Sequence, residues 1–183
     1  MPIQKPSRAD WIQSVLAEHE KSLVRYALHL TGSLETARDV VQETFLRLCS
    51  QDPRKLEDRT APWLFAVCRT RALDALRKEK RLNLASAEDD RERSAPFPSD
   101  TGSIETFEQN EVIARILSIV GKLSLNQQEV IRLRFEEGFS YQEISQVTGL
   151  SVTNVGFLLH AALKTIRLQM EPAEDSRVLR RIK

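Results

Sequence analysis

Long apolar runs are absent from this chain of 183 residues. No stretch approaches the roughly 18 uninterrupted apolar residues that a bilayer-spanning helix requires. The opening residues, MPIQKPSRADW, also lack the apolar segment of a secretory signal. The sequence therefore reads as a cytoplasmic protein without membrane insertion. Cysteine is scarce too: Cys49 and Cys68 stand far apart, with no CxxC and no nearby histidine pair, which excludes a thiolate metal site and a disulfide framework. Both are expected as reduced, half-buried thiols. Aromatic residues make up only 6% of the chain, so aliphatic helix packing must fill the core. An excess of charge of one sign is missing as well: 27 Lys and Arg face 26 Asp and Glu, for a formal net charge of +1. Bulk charge thus announces no partner, and its distribution along the chain decides. No glycine loop of the phosphate-binding kind is present, no nucleophile has an evident base, and His19, His29 and His160 are scattered. No catalytic residue, metal or cofactor is expected, and His19, on an apolar stripe, is expected to pack in the core.

What is present is 41% hydrophobic and 29% charged residues, the balance of a chain that fills a core. Its length suits two small domains. Trp11, Ile12, Val15, Leu16, His19, Leu23, Val24, Ala27 and Leu28 recur at three- and four-residue intervals, which predicts an amphipathic helix ended by Gly32. Ser33 can cap a second helix with Ala37, Val40, Val41, Thr44, Phe45 and Leu48 on its packed side and Asp39, Gln42, Glu43 and Arg47 outside. Asp52-Pro53 interrupts the pattern. Thr60 and Pro62 then start a third helix, from about Ala61 to Arg81, because proline fits a first turn where its missing N–H costs nothing. That helix has Trp63, Leu64, Val67, Cys68, Ala72, Ala75 and Leu76 on its packed side and carries Arg69, Arg71, Arg77, Lys78, Lys80 and Arg81 against only Asp74 and Glu79.

Periodicity fails over residues 82–108, where Ser, Pro, Asp and Glu dominate, and this stretch reads as an acidic linker. It returns with Val112, Ile113, Ile116, Leu117 and Val120. Ser124 to Gln127 and Ser140 to Glu143 then have the spacing of capping boxes, and Gly138 and Gly149 close the helices those boxes open. The last helix has Val155, Leu159, Ala162, Leu163, Ile166 and Met170 on one stripe. With no convincing strand, the predicted class is all-α: one domain over 1–81, the linker, a second domain over 109–170, and a short tail over 171–183.

The segment YQEISQVTGLSVTNVGFLLH has the steric signature of a helix-turn-helix. Ser145 is small enough for two helices to cross closely, Gly149 suits a left-handed turn, and Val155 and Leu158 dock the second helix on the first. In a DNA-binding unit that second helix enters the major groove by its N-terminal residues. Here they are Ser151, Thr153, Asn154, Phe157 and His160, with Lys164 and Arg167 beyond. A plain helical hairpin that touches no nucleic acid has the same spacing.

Taken together, LVRYALHLTGSLETARDVVQETFLRL with APWLFAVCRTRALDALRKEKR, and then LSLNQQEVIRLRFEEGFSYQEISQVTGLSVTNVGFLLHAALKTIR, resemble the second and fourth conserved regions of bacterial RNA polymerase sigma factors of the extracytoplasmic-function (ECF) subfamily. The resemblance implies that Asp39, Gln42, Glu43 and Arg47 contact the clamp of the largest polymerase subunit. It implies that Trp63, Arg69, Thr70, Arg71, Arg77 and Lys78 open and hold the -10 promoter strand. It assigns Ser151, Thr153, Asn154, Phe157, His160 and Lys164 to the -35 element. Implied partners are core RNA polymerase, by its clamp and by the flap of the second largest subunit, promoter DNA, and an anti-sigma protein, which the sequence itself neither confirms nor excludes. The linker is expected to thread the polymerase near its active centre.

Two departures stand out: Thr70 occupies a place where the family often has asparagine, and VGFLLHAAL replaces a more basic run in the recognition helix. A stand-alone helix-turn-helix regulator is the rival reading.

Overall fold

The chain is described from a computed structural model over residues 7–56, 59–85 and 107–170. Among these residues every regular element is a helix: α1 (Arg8–Thr31), α2 (Leu34–Leu48), α3 (Pro53–Leu56), α4 (Thr60–Ala85), α5 (Phe107–Gly121), α6 (Leu125–Phe135), α7 (Tyr141–Thr148) and α8 (Val152–Met170). They gather into two compact units. The first holds α1 to α4 together with Ser145–Gly149, and the second holds α5, α6, the start of α7 and α8.

Local chemistry sets the boundaries in the first unit. Ser7 and Asp10 form a capping box at the start of α1, and the hydrogen bonds from Ser7 hold the Asp10 carboxyl below its ordinary range. Gly32 takes a φ of 72° and its N–H donates to the Leu28 carbonyl, which ends α1. Ser33 then accepts from the Thr36 N–H to open α2. The Asp52-Pro53 step does not simply break the pattern. Asp52 accepts from the Arg54 N–H at 3.0 Å and proline fits the first turn, so a short α3 forms and buries Leu56. The guanidinium of Arg8 donates to the Cys49 and Gln51 carbonyls, tying the start of α1 to the end of α2.

The core of this unit lies among α1, α2 and α4. It comprises Leu23, Tyr26 and Ala27, then Ala37, Val40, Val41, Phe45 and Leu48, then Leu64, Phe65, Cys68 and Ala72. The Tyr26 and Phe65 rings meet at 5.1 Å with a 49° tilt, an aromatic contact worth about 0.5–1.5 kcal/mol beyond the area it buries. Leu16, expected on the packed stripe, is exposed, and His19 is half-buried rather than core. The two thiols differ from expectation in opposite directions: Cys49, at the open end of α2, is exposed, and Cys68 is fully buried. Burial pushes the Cys68 thiol up to about 12, opposed by its hydrogen bond with Thr44. Helix α4 continues through Ala85, past the expected end at Arg81, because Leu82, Asn83, Leu84 and Ala85 contain no breaker. The expected linker begins correspondingly later, and residues 86–106 and the 171–183 tail lie outside the described residues.

In the second unit α8 packs against α5 and α6. Val130, Leu133, Ile144, Val155, Leu159 and Ala162 are the buried side chains that bring these helices together. Gln128 turns back to donate to the Gly121 and Leu123 carbonyls, satisfying acceptors at the end of α5. Val112 and Ile113 on α5 and Leu163 on α8 are exposed, contrary to the expected stripes.

Candidate functional site

Three surfaces carry the candidate residues. On α2 the buried residues Ala37, Val40, Val41, Thr44, Phe45 and Leu48 fix the rotation of the helix, so Asp39, Gln42, Glu43 and Arg47 all face outward. At about 100° per residue, Asp39, Gln42 and Glu43 cluster on the side opposite the core, with Arg47 on its shoulder. The centre of that face is Leu46, 64% exposed and ringed by the three polar residues. Leu46 was missed by the sequence reading, although the same helical periodicity places it there. An isolated apolar side chain amid amide and carboxylate groups is the arrangement of a protein contact, with one desolvated anchor and polar groups around it.

On α4 the buried residues are Leu64, Phe65, Cys68 and Ala72. Relative to them, Trp63, expected on the packed side, instead shares one outward stripe with Thr70, Asp74 and Arg77. Arg71 and Lys78 lie on the shoulder between that stripe and the core, while Arg69 lies on the other side of the helix. The structure thus brings five of the six candidates to one side and leaves Arg69 apart. Trp63 is half-buried, Thr70, Arg77 and Lys78 are exposed, and Arg71 is half-buried. Thr70 donates its hydroxyl proton to the Ala66 carbonyl at 2.9 Å, so its oxygen faces outward as an acceptor. Asp74 pairs with Arg77 at 3.0 Å and orients that guanidinium along the stripe. Arg71 reaches across to α2, where its Nε stands 3.7 Å from the Glu43 carboxylate.

The third surface is the α7-turn-α8 unit. Ser140 and Glu143 complete the capping box: the Ser140 N–H donates to Glu143 at 2.7 Å, and the Glu143 N–H donates to Ser140 Oγ at 3.2 Å. Gly149 adopts a φ of 74°, and its N–H donates to the Ser145 carbonyl at 2.9 Å, which closes α7 and turns the chain. Ser151 then caps α8 by accepting from the Asn154 N–H at 3.2 Å. Its oxygen is committed to the helix start, and its hydroxyl proton remains to donate outward. Tyr141 lies under the guanidinium of Arg134 at 5.7 Å and in packing reach of Gly156, so α6, α7 and α8 are joined at one point.

With Val155, Leu159 and Ala162 turned inward, Thr153, Phe157, His160 and Lys164 follow at intervals of four, three and four residues along the outer face, with Asn154 beside them. All five are exposed, and Phe157 is 68% exposed, an aromatic ring with no packing role to explain it. No group of three or more metal-ligating side chains occurs among the described residues, and no described helix is long and apolar enough to cross a membrane.

Comparison with known proteins places the chain in a family. Residues 15–82 match the family described as Sigma-70 region 2, and residues 113–166 match Sigma-70, region 4. The chain is 31% identical over 168 residues to the ECF RNA polymerase sigma factor SigL of Mycobacterium tuberculosis, covering 90% of this chain and 92% of SigL. It is 24% identical over 156 residues to the RNA polymerase sigma factor SigV of Bacillus subtilis, covering 85% and 88%. Among solved structures, the sigma factor RpoE in complex with the anti-sigma factor NepR from Bartonella quintana has a similar fold. Its TM-score is 0.62 at 21% identity, over 88% of this chain and 97% of that one. CnrH in complex with the cytosolic domain of CnrY gives a TM-score of 0.53 at 23% identity, over 87% of each chain.

Proposed function

The chain belongs to the ECF RNA polymerase sigma factors, and from that premise we propose how its residues divide the work of directing core polymerase to promoters. The observation that carries the reading is the presence, in one chain and in order, of a region 2 match and a region 4 match. A stand-alone helix-turn-helix regulator would leave the first of these without a use.

The outer face of α2 docks on the clamp of the largest polymerase subunit. Leu46 supplies the apolar anchor, and Asp39, Gln42, Glu43 and Arg47 supply the polar surround. The α4 stripe receives the -10 strand. Trp63 offers a ring for stacking, the Thr70 oxygen accepts a hydrogen bond, and Arg77, Lys78 and Arg71 attract the phosphates. Arg69 lies across the helix from this stripe and is left out of the strand contact. The outer face of α8 enters the -35 major groove. There Asn154 and His160 meet base edges, Phe157 packs on a thymine methyl, Ser151 and Thr153 hydrogen-bond near the groove entrance, and Lys164 meets phosphate. The few positive charges on α8 make this contact weak by itself, and two weak contacts on one chain reinforce each other through effective concentration.

The domain limits lie at 1–85 and 107–170, following the ends of α4 and α5, with the acidic segment between them threading the polymerase and the flap of the second largest subunit holding the second domain. The protein performs no chemistry of its own, because the polymerase forms the phosphodiester bonds, and it acts in the cytoplasm. An anti-sigma protein, of the kind bound to RpoE, is the proposed regulator.

The test is binding to purified core polymerase by Leu46→Asp and Asp39→Arg variants whose helicity is unchanged. Both are expected to lose about tenfold or more in affinity, the loss of one hot-spot contact. Unchanged binding by both removes the α2 face from the docking surface.

A further inference from the structure

The polymerase-docking face and the strand-binding face are not separate surfaces. Glu43, on the outer face of α2, and Arg71, on the shoulder of the α4 stripe, form an ion pair at 3.7 Å. We propose that this pair couples the two contacts: in the free protein Glu43 holds Arg71 back from DNA, and docking on polymerase takes up Glu43 and releases Arg71 to the -10 strand. The inference rests on the reading of α2 and α4 given above and adds a regulatory link between them.

Three features carry it. The first is position. Arg71 lies one helical step from Thr70 and three residues from Asp74, both on the exposed stripe. A long guanidinium arm from the shoulder spans both directions, toward α2 and toward the strand.

The second is the quality of the pair. A separation of 3.7 Å is too long for a hydrogen bond, and the Nε of Arg71, shielded from solvent, has no hydrogen-bond partner among the described residues. The Arg71 side chain is 26% exposed and that of Glu43 is 59% exposed. The Nε is therefore desolvated and unsatisfied in this pair, and a phosphate offers the guanidinium the charge-assisted bonds that Glu43 does not.

The third is the double claim on Glu43. Its carboxylate is exposed on the same face as Leu46 and Gln42, so a partner seated on that face competes with Arg71 for it. By thermodynamic reciprocity, whatever factor polymerase adds to strand affinity, the strand adds to polymerase affinity. Solvent-screened pairs of this kind correspond to a factor of about two to five.

The test uses the full-length protein and a fluorescent single-stranded DNA oligonucleotide of mixed sequence, with affinity read by anisotropy at low salt. Glu43→Gln is expected to raise the DNA affinity of the free protein about two- to fivefold. Glu35→Gln, which removes the same charge two turns earlier on α2, is expected to leave it nearly unchanged. In an Arg71→Gln background the gain from Glu43→Gln is expected to vanish, and in the presence of saturating core polymerase the wild type and Glu43→Gln are expected to bind the strand equally. Two results overturn the proposal and are distinguishable. If Glu43→Gln weakens core binding and Arg71→Gln weakens DNA binding, but the double variant is simply additive, the surfaces are right and the coupling is absent. If neither single variant affects its own partner, the assignment of the surfaces fails and the coupling falls with it.

Discussion

Replacing glycine by alanine at two places in the α7-turn-α8 unit is expected to change stability in opposite directions. Gly149 has a φ of 74°, and a Cβ added there meets nothing within 4 Å, so the cost comes only from the backbone. A left-handed residue with a side chain costs about 1–2 kcal/mol. The reduced freedom of the unfolded chain returns about 0.4–1 kcal/mol of that, leaving a net loss of about 1 kcal/mol. Gly156 lies inside α8 with ordinary helical φ, and an added Cβ meets the Tyr141 ring at 3.5 and 3.8 Å, which is van der Waals contact without overlap. Alanine in a helix interior gains about 0.8–1 kcal/mol over glycine, so Gly156→Ala is expected to stabilise by nearly that amount. For a unit of this size each change shifts the melting temperature by about 4–8 °C, downward for Gly149→Ala and upward for Gly156→Ala. Hydrogen exchange of the α8 amides, measured on the full chain, assigns the change to the α7-turn-α8 segment. Equal destabilisation by both variants would refute the reasoning, since it would mean that Tyr141 leaves no room at Gly156.

Phe65→Ala removes a fully buried ring packed on Tyr26 and is expected to cost about 3–5 kcal/mol in the first unit, with α8 exchange unchanged in a urea titration. Thiol labelling of the native protein is expected to modify Cys49 at once and Cys68 only on unfolding; fast reaction at both would contradict the buried site. The Cys68 thiol titrates near 9.0 when unfolded and at about 12 when folded. Between those values the unfolded state loses its proton first, so stability falls as pH rises past about 9, and Cys68→Ala is expected to flatten that alkaline slope. Lys164→Ala is expected to weaken binding to all -35 sequences alike and to reduce the salt slope by about 1, while Phe157→Ala changes the preferred sequence; the reverse pattern would exchange their roles.

The parts of the fold that were legible in the sequence are those fixed by local chemistry. Ser33, Gly32, Gly138, Gly149 and the pairs Ser124 with Gln127 and Ser140 with Glu143 act within a turn of their own position, and each is found at the boundary its residue type dictates. What was not legible depends on how helices rest against one another. Whether Leu16, Val112, Ile113 and Leu163 are covered is decided by the neighbouring helices and not by spacing along their own. The half-buried expectation for Cys49 and Cys68 failed for the same reason, one lying at a helix end and the other against Thr44. Arg132, nearly fully buried and bonded to Glu136 at 3.0 Å, carried no warning in a sequence where most arginines are exposed. Of the candidate surfaces, the outward direction of α2 and α8 followed from periodicity alone. The pairing of Glu43 with Arg71 did not, because it joins residues on different helices.

The central claim is tested most directly by in vitro transcription with purified bacterial core polymerase, with and without this protein, on fragmented genomic DNA whose RNA starts are sequenced. The account predicts discrete protein-dependent starts that share two upstream elements at fixed spacing, lost with Leu46→Asp. No new starts and no binding to core polymerase from a folded helical protein would contradict it.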